Sequence, residues 1–152
     1  MTTYNYNKGA QWLKCDLHIH TPVSLCSEYG GDTNVIWDKF FLELEALPSD
    51  IKIVGINDYI FLDGYKRVLE YKKNGGLQKI KLLIPVIELR IRDFVGNKDL
   101  NKINYHVIFA DDTQLSVEQI SAQFSSSLKG KAILNEEYNK GLIIYSLGNF
   151  VF

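Results

Sequence analysis

The chain has 152 residues, of which 46% are hydrophobic and 12% aromatic, so it can build one domain with a full core. Its formal net charge of −1 excludes a global attraction to nucleic acid or to an anionic membrane. Only two cysteines occur, Cys15 and Cys26, and no apolar run resembles a signal peptide or a membrane span. A reduced, cytoplasmic protein is favoured, although the spacing of the two cysteines leaves a disulfide open.

The first half of the chain predicts strands and helices in alternation, after an N-terminal arm of residues 1–11 that carries no periodicity. Each predicted strand is a short apolar or alternating run, and each predicted helix repeats its apolar residues at intervals of three and four. In chain order, the sequence predicts a strand from Trp12 to His20, a helix from Asp32 to Leu47, a strand from Ile51 to Ile56 and a helix from about Leu62 to Asn74.

The second half continues the alternation. It predicts a strand from Leu82 to Ile91, a charged loop over residues 93–102, a strand from Ile103 to Ala110, a helix after the capping box Ser116-Val117-Glu118-Gln119, and a strand from Leu142 to Leu147. Alternating strands and helices are typical of an α/β fold, with a parallel sheet of about five strands and right-handed crossovers. Residues 12–152 are predicted to form this single domain.

The most specific local pattern is Asp16-Leu17-His18-Ile19-His20, which places two imidazoles two residues apart at the end of a strand. Residues i and i+2 of a strand share a face, so Asp16, His18 and His20 lie together and Cys15 faces the apolar side, where a buried thiol is expected. Two neutral imidazoles at this separation can hold one divalent ion, and Asp16 can orient one ring by a hydrogen bond. The alternative is a pair of surface histidines placed together by chance.

Polar residues also end the other predicted strands. Asp58 follows the second strand, Glu88 ends the third and His106 lies on the fourth. The carboxyl ends of parallel strands meet at one edge of an α/β fold, so we expect these side chains to join His18 and His20 there. Imidazoles and carboxylates are the ligands of zinc, manganese and iron sites. The pattern therefore predicts a metal centre.

Each of these residues has a simpler interpretation. His106 could be a buried histidine with ordinary hydrogen bonds, and Asp58 could cap the helix that follows it. Glu88 needs a cationic partner if it is buried, which could be Arg90 or Arg92 in place of a metal.

Four segments resemble, in chain order, the motifs of the polymerase and histidinol phosphatase (PHP) superfamily of metal-dependent phosphoesterases. Asp16-Leu17-His18-Ile19-His20-Thr21 matches the first motif, and Gly55-Ile56-Asn57-Asp58-Tyr59 resembles the second. Pro85-Val86-Ile87-Glu88 resembles the third motif, and His106-Val107-Ile108 resembles the fourth. The resemblance implies a partial (βα) barrel of the PHP type.

The same resemblance implies one or two divalent ions, which would be zinc, manganese or iron. His18, His20 and Glu88 would hold the first ion, and Glu88 with His106 would hold the second. The implied reaction is the hydrolysis of a phosphate ester, for which Asp58 and Arg90 are the predicted catalytic residues. Arg90 and Arg92 alternate with Glu88, so one of them could reach the site and clamp the phosphate; the alternative is that they are solvated or pair with Asp93.

The chain also departs from the family pattern. Cys26 and Tyr59 stand where the family often has histidines, and no histidine follows His106, so the later ligands and the third metal site are expected to be absent. The chain is shorter than a full barrel requires. The alternative function is therefore a degenerate PHP domain that serves as a structural or regulatory docking module.

The expected partners follow from the same observations. The second and third motifs look most like the PHP domains that open larger bacterial proteins carrying an ATPase, which implies an ATPase partner and a nuclease-type role in RNA cleavage or phage defence. A half-built barrel would expose sheet edges, which predicts self-association as another possibility. A basic stretch could guide an RNA or DNA backbone or could be a solvated helix face; its residues are Lys66, Arg67, Lys72, Lys73, Lys79 and Lys81.

Overall fold

The structure, a computed structural model, describes residues 12–25, 27–95, 101–110 and 115–128, and within these ranges it describes the side chains of all but residues 90–95, 101–103 and 128. The predicted arm of residues 1–11, Cys26 and the predicted strand from Leu142 to Leu147 lie outside the described residues. The elements in chain order are β1 (Lys14–Ile19), α1 (Asn34–Glu45), β2 (Ile51–Tyr59), α2 (Asp63–Lys73), β3 (Leu82–Val95), β4 (Asn101–Ile108) and α3 (Val117–Leu128).

The described strands form one four-stranded sheet in the order β1-β2-β3-β4, curled like half of a barrel. The α/β class is confirmed, and β1, β2 and β3 are parallel as predicted. The prediction of a parallel sheet is wrong for β4, which runs antiparallel to β3. A parallel crossover needs a dozen or more residues, whereas only residues 96–100 separate the two strands, so the chain can only turn back.

The second strand extends three residues beyond its predicted end. β2 continues through Asn57, Asp58 and Tyr59, which pair with β3 and are buried. Asn and Asp are poor strand formers, so their intrinsic preference suggests an earlier end, and pairing with β3 overrides it. Because side chains alternate along a strand, Asp58 faces the opposite side from Asn57 and Tyr59.

Both ends of α1 lie close to the predicted bounds. The Thr33 hydroxyl caps the helix by accepting the Ile36 amide at 3.4 Å. The buried face of α1 is mostly aromatic, and it joins buried residues of the strands and of α2 in the main core. Arg67 of α2 lies over the Trp37 ring at 4.4 Å, which ties the two helices together.

The predicted capping box of α3 is confirmed. The Ser116 hydroxyl accepts the Gln119 amide at 3.2 Å, and the Gln119 side chain accepts the Ser116 amide at 2.8 Å. Val117, Ile120 and Phe124 form the buried face of this helix. Among the helices in the described ranges, none has the length and apolar character that crossing a bilayer requires.

Two glycines allow close approaches that position the end of β1. A Cβ atom on Gly55 would lie 2.8 Å from Leu17 Cα, so any side chain there would push β1 away from β2. A Cβ atom on Gly64 would collide with the Asp58 carboxylate and the Thr21 hydroxyl. These positions bring the strand that carries the histidines, and the loop after it, against β2 and α2.

The predicted burial of Cys15 is wrong. Its thiol is free and exposed. β1 is an edge strand of the described sheet, so its first residues are covered less than those of a central strand.

Candidate metal centre

All four residues predicted as metal ligands meet at one carboxylate oxygen. Glu88 Oε2 lies 3.1 Å from His20 Nε2, 3.3 Å from His18 Nε2 and 3.9 Å from His106 Nε2. The Nε2 atoms of His18 and His20 are themselves 3.1 Å apart. Three separate strands and the loop after β1 therefore direct one ligand atom each to a common point.

Strand register explains how His106 joins the group. Glu88 is paired with Tyr59 of β2 on one side and with His106 of β4 on the other. Residues in register on neighbouring strands place their side chains on the same face, so the imidazole of His106 lies beside the carboxylate. His18 lies near the end of β1, and His20 follows that strand directly.

The spacing of these atoms suits a divalent cation. Two ligand atoms about 2.1 Å from one ion lie roughly 3.0–3.4 Å apart. The three pairs formed by His18 Nε2, His20 Nε2 and Glu88 Oε2 are separated by 3.1, 3.3 and 3.1 Å. A second, overlapping group consists of His18, Glu88 and His106, whose ligand atoms all lie within 4.8 Å of one another. The two groups share His18 and Glu88.

The donor set also contains buried atoms that lack hydrogen-bond partners within the described ranges. These include Glu88 Oε1 and His106 Nε2. Unsatisfied buried polar atoms are costly and uncommon. A cation among these side chains would satisfy both atoms, so the residues present fit a metal ion.

Glu88 is suited to act as an anionic ligand although it is fully buried. Burial raises its pKa, but hydrogen bonds from His20 and Tyr59 and the positive charges of His20 and His18 outweigh burial, so its pKa lies below the usual value. The anionic carboxylate is therefore favoured near neutral pH.

The centre is open to solvent on one side. The side chains of His18, His20 and His106 are 51%, 28% and 31% exposed, whereas that of Glu88 is fully buried. The carboxylate therefore forms the floor of the site and the imidazoles form its rim. Solvent reaches parts of the three imidazole side chains, whereas the Nε2 atom of His106 is itself buried.

Asn57 is a site residue that the sequence analysis missed. Its side-chain amide donates to Glu88 Oε2 at 3.1 Å, and Asn57 is fully buried. Its position two residues before Tyr59 is a signal that it shares the face of Tyr59, but the sequence does not reveal which residue of β3 lies beside it.

Asp58 is directed away from the cluster. Its carboxylate accepts the Thr21 amide at 2.8 Å and the Thr21 hydroxyl at 2.7 Å. Burial raises the pKa of Asp58 above its usual value, although the hydrogen bonds from Thr21, the charge of His20 and a hydrogen bond from Ser24 act in the opposite direction. The alternative helix-cap role is not observed either, since α2 has Leu62 at its N-cap and no side-chain capping bond. Asp58 instead holds the loop that follows His20.

Asp16 does not orient an imidazole as predicted. Its Oδ1 atom accepts the backbone amide of His18 at 3.1 Å, since a short acidic side chain readily reaches the backbone two residues ahead. Ser24, which the sequence analysis did not single out, contacts a ring instead, with its hydroxyl 3.0 Å from His20 Nδ1. The His20 ring also stacks on Tyr59, with centroids 5.3 Å apart.

Arg90 and Arg92, the candidates for binding a phosphate group, lie on β3. The backbone of Arg90 pairs with Asn104, but the side chains of both arginines lie outside the described part of the structure. Their role as a phosphate clamp stays a prediction.

Much of the basic stretch is engaged in contacts within the protein. Lys66 pairs with Glu118 at 2.8 Å, and Arg67 contacts Trp37 and Asn34. Lys72 donates to the backbone carbonyls of residues 77 and 80, and Lys79 donates to that of residue 45. These contacts make a dedicated nucleic-acid surface on α2 less favourable than the sequence alone indicates.

No protein-family model, no curated protein and no solved structure matches this chain. The resemblance to the PHP superfamily therefore depends on the motifs themselves. The chemistry of the site has to be inferred from its own geometry.

Proposed function

We propose that this chain is a metal-dependent phosphoesterase of nuclease type, which hydrolyses phosphodiester or phosphomonoester bonds. The observation that carries the proposal is the convergence of three imidazole Nε2 atoms on one buried carboxylate oxygen. His18, His20 and Glu88 would hold a first zinc, manganese or iron ion. Glu88 and His106 would hold a second ion through the same shared carboxylate.

A divalent ion held by these residues would lower the pKa of water towards neutrality and would offset the charge that develops on phosphoryl oxygens. The protein contributes a buried anionic floor at Glu88, which Asn57 fixes by a hydrogen bond, and an exposed rim of imidazoles. A phosphate ester would approach from the side where the imidazoles are exposed, and Arg90 is the proposed clamp on its free oxygens. Asp58 fits a positioning role better than direct catalysis, because its oxygens bind Thr21.

A second candidate function is a docking module with a weakened metal site. Tyr59 favours it, because this residue stands where the family has a histidine and is buried, stacked on His20. The partner would be an ATPase or a second copy of the chain. Self-association is consistent with apolar side chains that are exposed on or beside the two edge strands of the described sheet, namely Trp12, Tyr105 and Ile108.

Metal-dependent hydrolysis separates the two candidates. The protein would be stripped with a chelator, reloaded with Zn²⁺, Mn²⁺ or Fe²⁺, and assayed with p-nitrophenyl phosphate, bis-p-nitrophenyl phosphate and a short RNA. We expect hydrolysis that depends on the added metal and is lost in Glu88→Gln and His106→Ala. Glu118→Gln and Tyr105→Ala are matched controls, since both residues are exposed and neither belongs to the cluster.

The outcomes are distinct. Metal binding without hydrolysis of any of the three esters would favour the docking module over the enzyme. Equal hydrolysis by the wild-type protein and by Glu88→Gln would show that the activity arises elsewhere or from a contaminant, and the proposal would be abandoned.

A further inference from the structure

Tyr59 lies flat against the imidazole of His20. The two rings stack with centroids 5.3 Å apart and an interplanar angle of 16°, a separation that aromatic pairs favour. The edge of the same imidazole is turned to the proposed ligands, because its Nε2 atom lies 3.1 Å from Glu88 Oε2. Tyr59 therefore covers one face of a proposed ligand and leaves the ligand nitrogen directed at the centre.

Tyr59 is itself held in place by the backbone on both sides of it. It is 6% exposed and pairs with Glu88 across β2 and β3. Directly after it the chain turns sharply, since the Phe61 amide donates to the Tyr59 carbonyl at 2.7 Å and Ile60 has a φ of +66°. A β-branched residue rarely adopts a positive φ, which indicates a strained turn.

The strained turn is anchored at Ile60. The Ile60 amide donates to the Glu88 carbonyl at 3.4 Å, and the Ile60 side chain is buried in the main core. Strain of this kind persists only where the surrounding structure enforces it, and it is common beside functional sites. The position of the Tyr59 ring is therefore set by strand pairing and by core packing.

A flat neighbour matters for a histidine because its last side-chain torsion is soft. Rotation about the Cβ–Cγ bond of an imidazole has broad minima. Turning the His20 ring out of its plane would drive ring atoms into Tyr59, so the stacked ring narrows this rotation. Glu88 and Ser24 contact the ring edge instead, at Nε2 and Nδ1.

His18 has a different environment. Within the described ranges no aromatic ring stacks flat on it: His20 and His106 meet it edge to face, with interplanar angles of 65° and 80°. Its side chain is also 51% exposed, against 28% for His20. Of these two neighbouring imidazoles, His20 is the one whose ring plane the fold restricts.

We propose that Tyr59 is a positioning residue, which restricts the rotation of the His20 imidazole by stacking on it and so keeps Nε2 directed at the metal centre. The inference rests on the proposed function, because a fixed Nε2 is useful there as a metal ligand. It assigns the role to the face of the aromatic ring and not to the phenol hydroxyl.

The rotation can be measured without any metal. Carbon relaxation of the imidazole C–H groups of the metal-free protein, at a pH where the imidazoles are neutral, reports ring motion on the picosecond-to-nanosecond timescale. Comparison with His18→Ala and His106→Ala assigns the His20 signals. In the wild-type protein we expect the His20 ring to be more ordered than the His18 ring. Tyr59→Phe, which keeps the ring, should preserve this order, and Tyr59→Leu should lose it.

Zn²⁺ affinity, measured by competition with a chromophoric chelator, gives the second readout. Tyr59→Leu should bind Zn²⁺ about 2–10-fold more weakly, the change that corresponds to the loss of one aromatic pair, and Tyr59→Phe should bind it as the wild-type protein does. Tyr71→Leu is the matched control, because Tyr71 stacks on Phe41 with centroids 3.9 Å apart but lies outside the centre. It should change neither readout.

The readouts separate this inference from the proposed function. If Tyr59→Leu loosens the His20 ring but the wild-type protein binds no Zn²⁺, the positioning role stands and the metal-dependent function fails. If Tyr59→Leu leaves the ring equally ordered, or if Tyr59→Phe keeps the order and loses the affinity, the role of the ring face is overturned.

Thermal unfolding of each variant checks that the measured protein is folded. Should Tyr59→Leu not fold, the wild-type protein alone still decides the question. A His20 ring no more ordered than the His18 ring in the metal-free protein would overturn the proposal.

Discussion

Two buried carboxylates at the same end of neighbouring strands have very different surroundings. Asp58 of β2 is 3% exposed and Glu88 of β3 is fully buried. Thr21 supplies donors to both oxygens of Asp58. Glu88 instead has three imidazoles around one oxygen, while its other oxygen has no hydrogen-bond partner among the described residues.

The difference shows that burial alone does not identify a functional acid. Burial dominates at Asp58 and raises its pKa, whereas at Glu88 the neighbouring hydrogen bonds and charges outweigh burial and lower it. A carboxylate whose acceptors are filled by backbone and hydroxyl donors stabilises a loop. A carboxylate with imidazoles and an unfilled acceptor retains the capacity to bind a cation.

The largest expected effect is on metal affinity in Glu88→Gln. The substitution removes the negative charge that the imidazoles surround, so the affinity for Zn²⁺ should fall by more than the roughly 100-fold upper range seen when an outer partner of a ligand is removed. Isothermal titration calorimetry measures the loss, with Glu118→Gln as the matched control. If Glu88→Gln bound Zn²⁺ as tightly as the wild-type protein, Glu88 would not be a metal ligand and would not differ in this respect from Asp58.

The converse variant, Asp58→Ala, should act mainly on stability. It leaves the Thr21 amide and hydroxyl buried without an acceptor, at about 1–3 kcal/mol each, so the free energy of unfolding should fall by about 2–6 kcal/mol. Urea unfolding measures the change, and Asp38→Ala, at an exposed position of α1, is the control. A stability equal to that of the wild-type protein would contradict the structural role of Asp58.

A smaller effect is expected for Gly64→Ala, which tests how tightly α2 packs on the pair formed by Asp58 and Thr21. The added methyl group would collide with both side chains, and such overpacking costs typically about 1–3 kcal/mol. In the Asp58→Ala background one of the colliding groups is gone, so the cost should be lower there. Additive losses in a double-mutant cycle would mean that the methyl group does not meet Asp58.

The smallest effect concerns an exposed carboxylate, which completes the comparison. A hydrogen bond from Lys66 is the main cause that lowers the pKa of Glu118 to about 2. A lowered folded-state pKa adds stability above the usual value of 4.5, and this stability is lost as the pH falls towards 2. Because the pair is exposed, the gain is small. Between pH 4.5 and 2, the free energy of unfolding of Glu118→Gln should therefore decrease slightly less than that of the wild-type protein. Identical pH dependence of unfolding in the two proteins would count against the pairing of Glu118 with Lys66.

The parts of the fold that follow from local pattern could be predicted from the sequence. The apolar periodicity of α1 and the capping box of α3 identify those helices, and the alternation around His18 identifies β1. The antiparallel direction of β4 could also have been predicted from the sequence, because the loop before it is too short for a crossover to a parallel strand. The predicted all-parallel sheet gave too much weight to the strand–helix alternation.

The site was predictable in its residue types more than in its contacts. The polar residues that end each strand indicated four ligands, and the structure brings His18, His20, Glu88 and His106 together. The pairing of Glu88 with Tyr59 on one side and with His106 on the other depends on the register of strands that are distant in sequence, which no local pattern encodes. For the same reason, the hydrogen bond of Asn57 could not be foreseen.

Elemental analysis of the purified protein tests the metal centre most directly. We expect one or two equivalents of zinc, manganese or iron per chain, retained after extensive dialysis in the wild-type protein and in Glu118→Gln, and lost when both His18 and His20 are replaced by alanine. Less than one equivalent in the wild-type protein, together with the same content in the double alanine variant, would contradict a metal centre at this site.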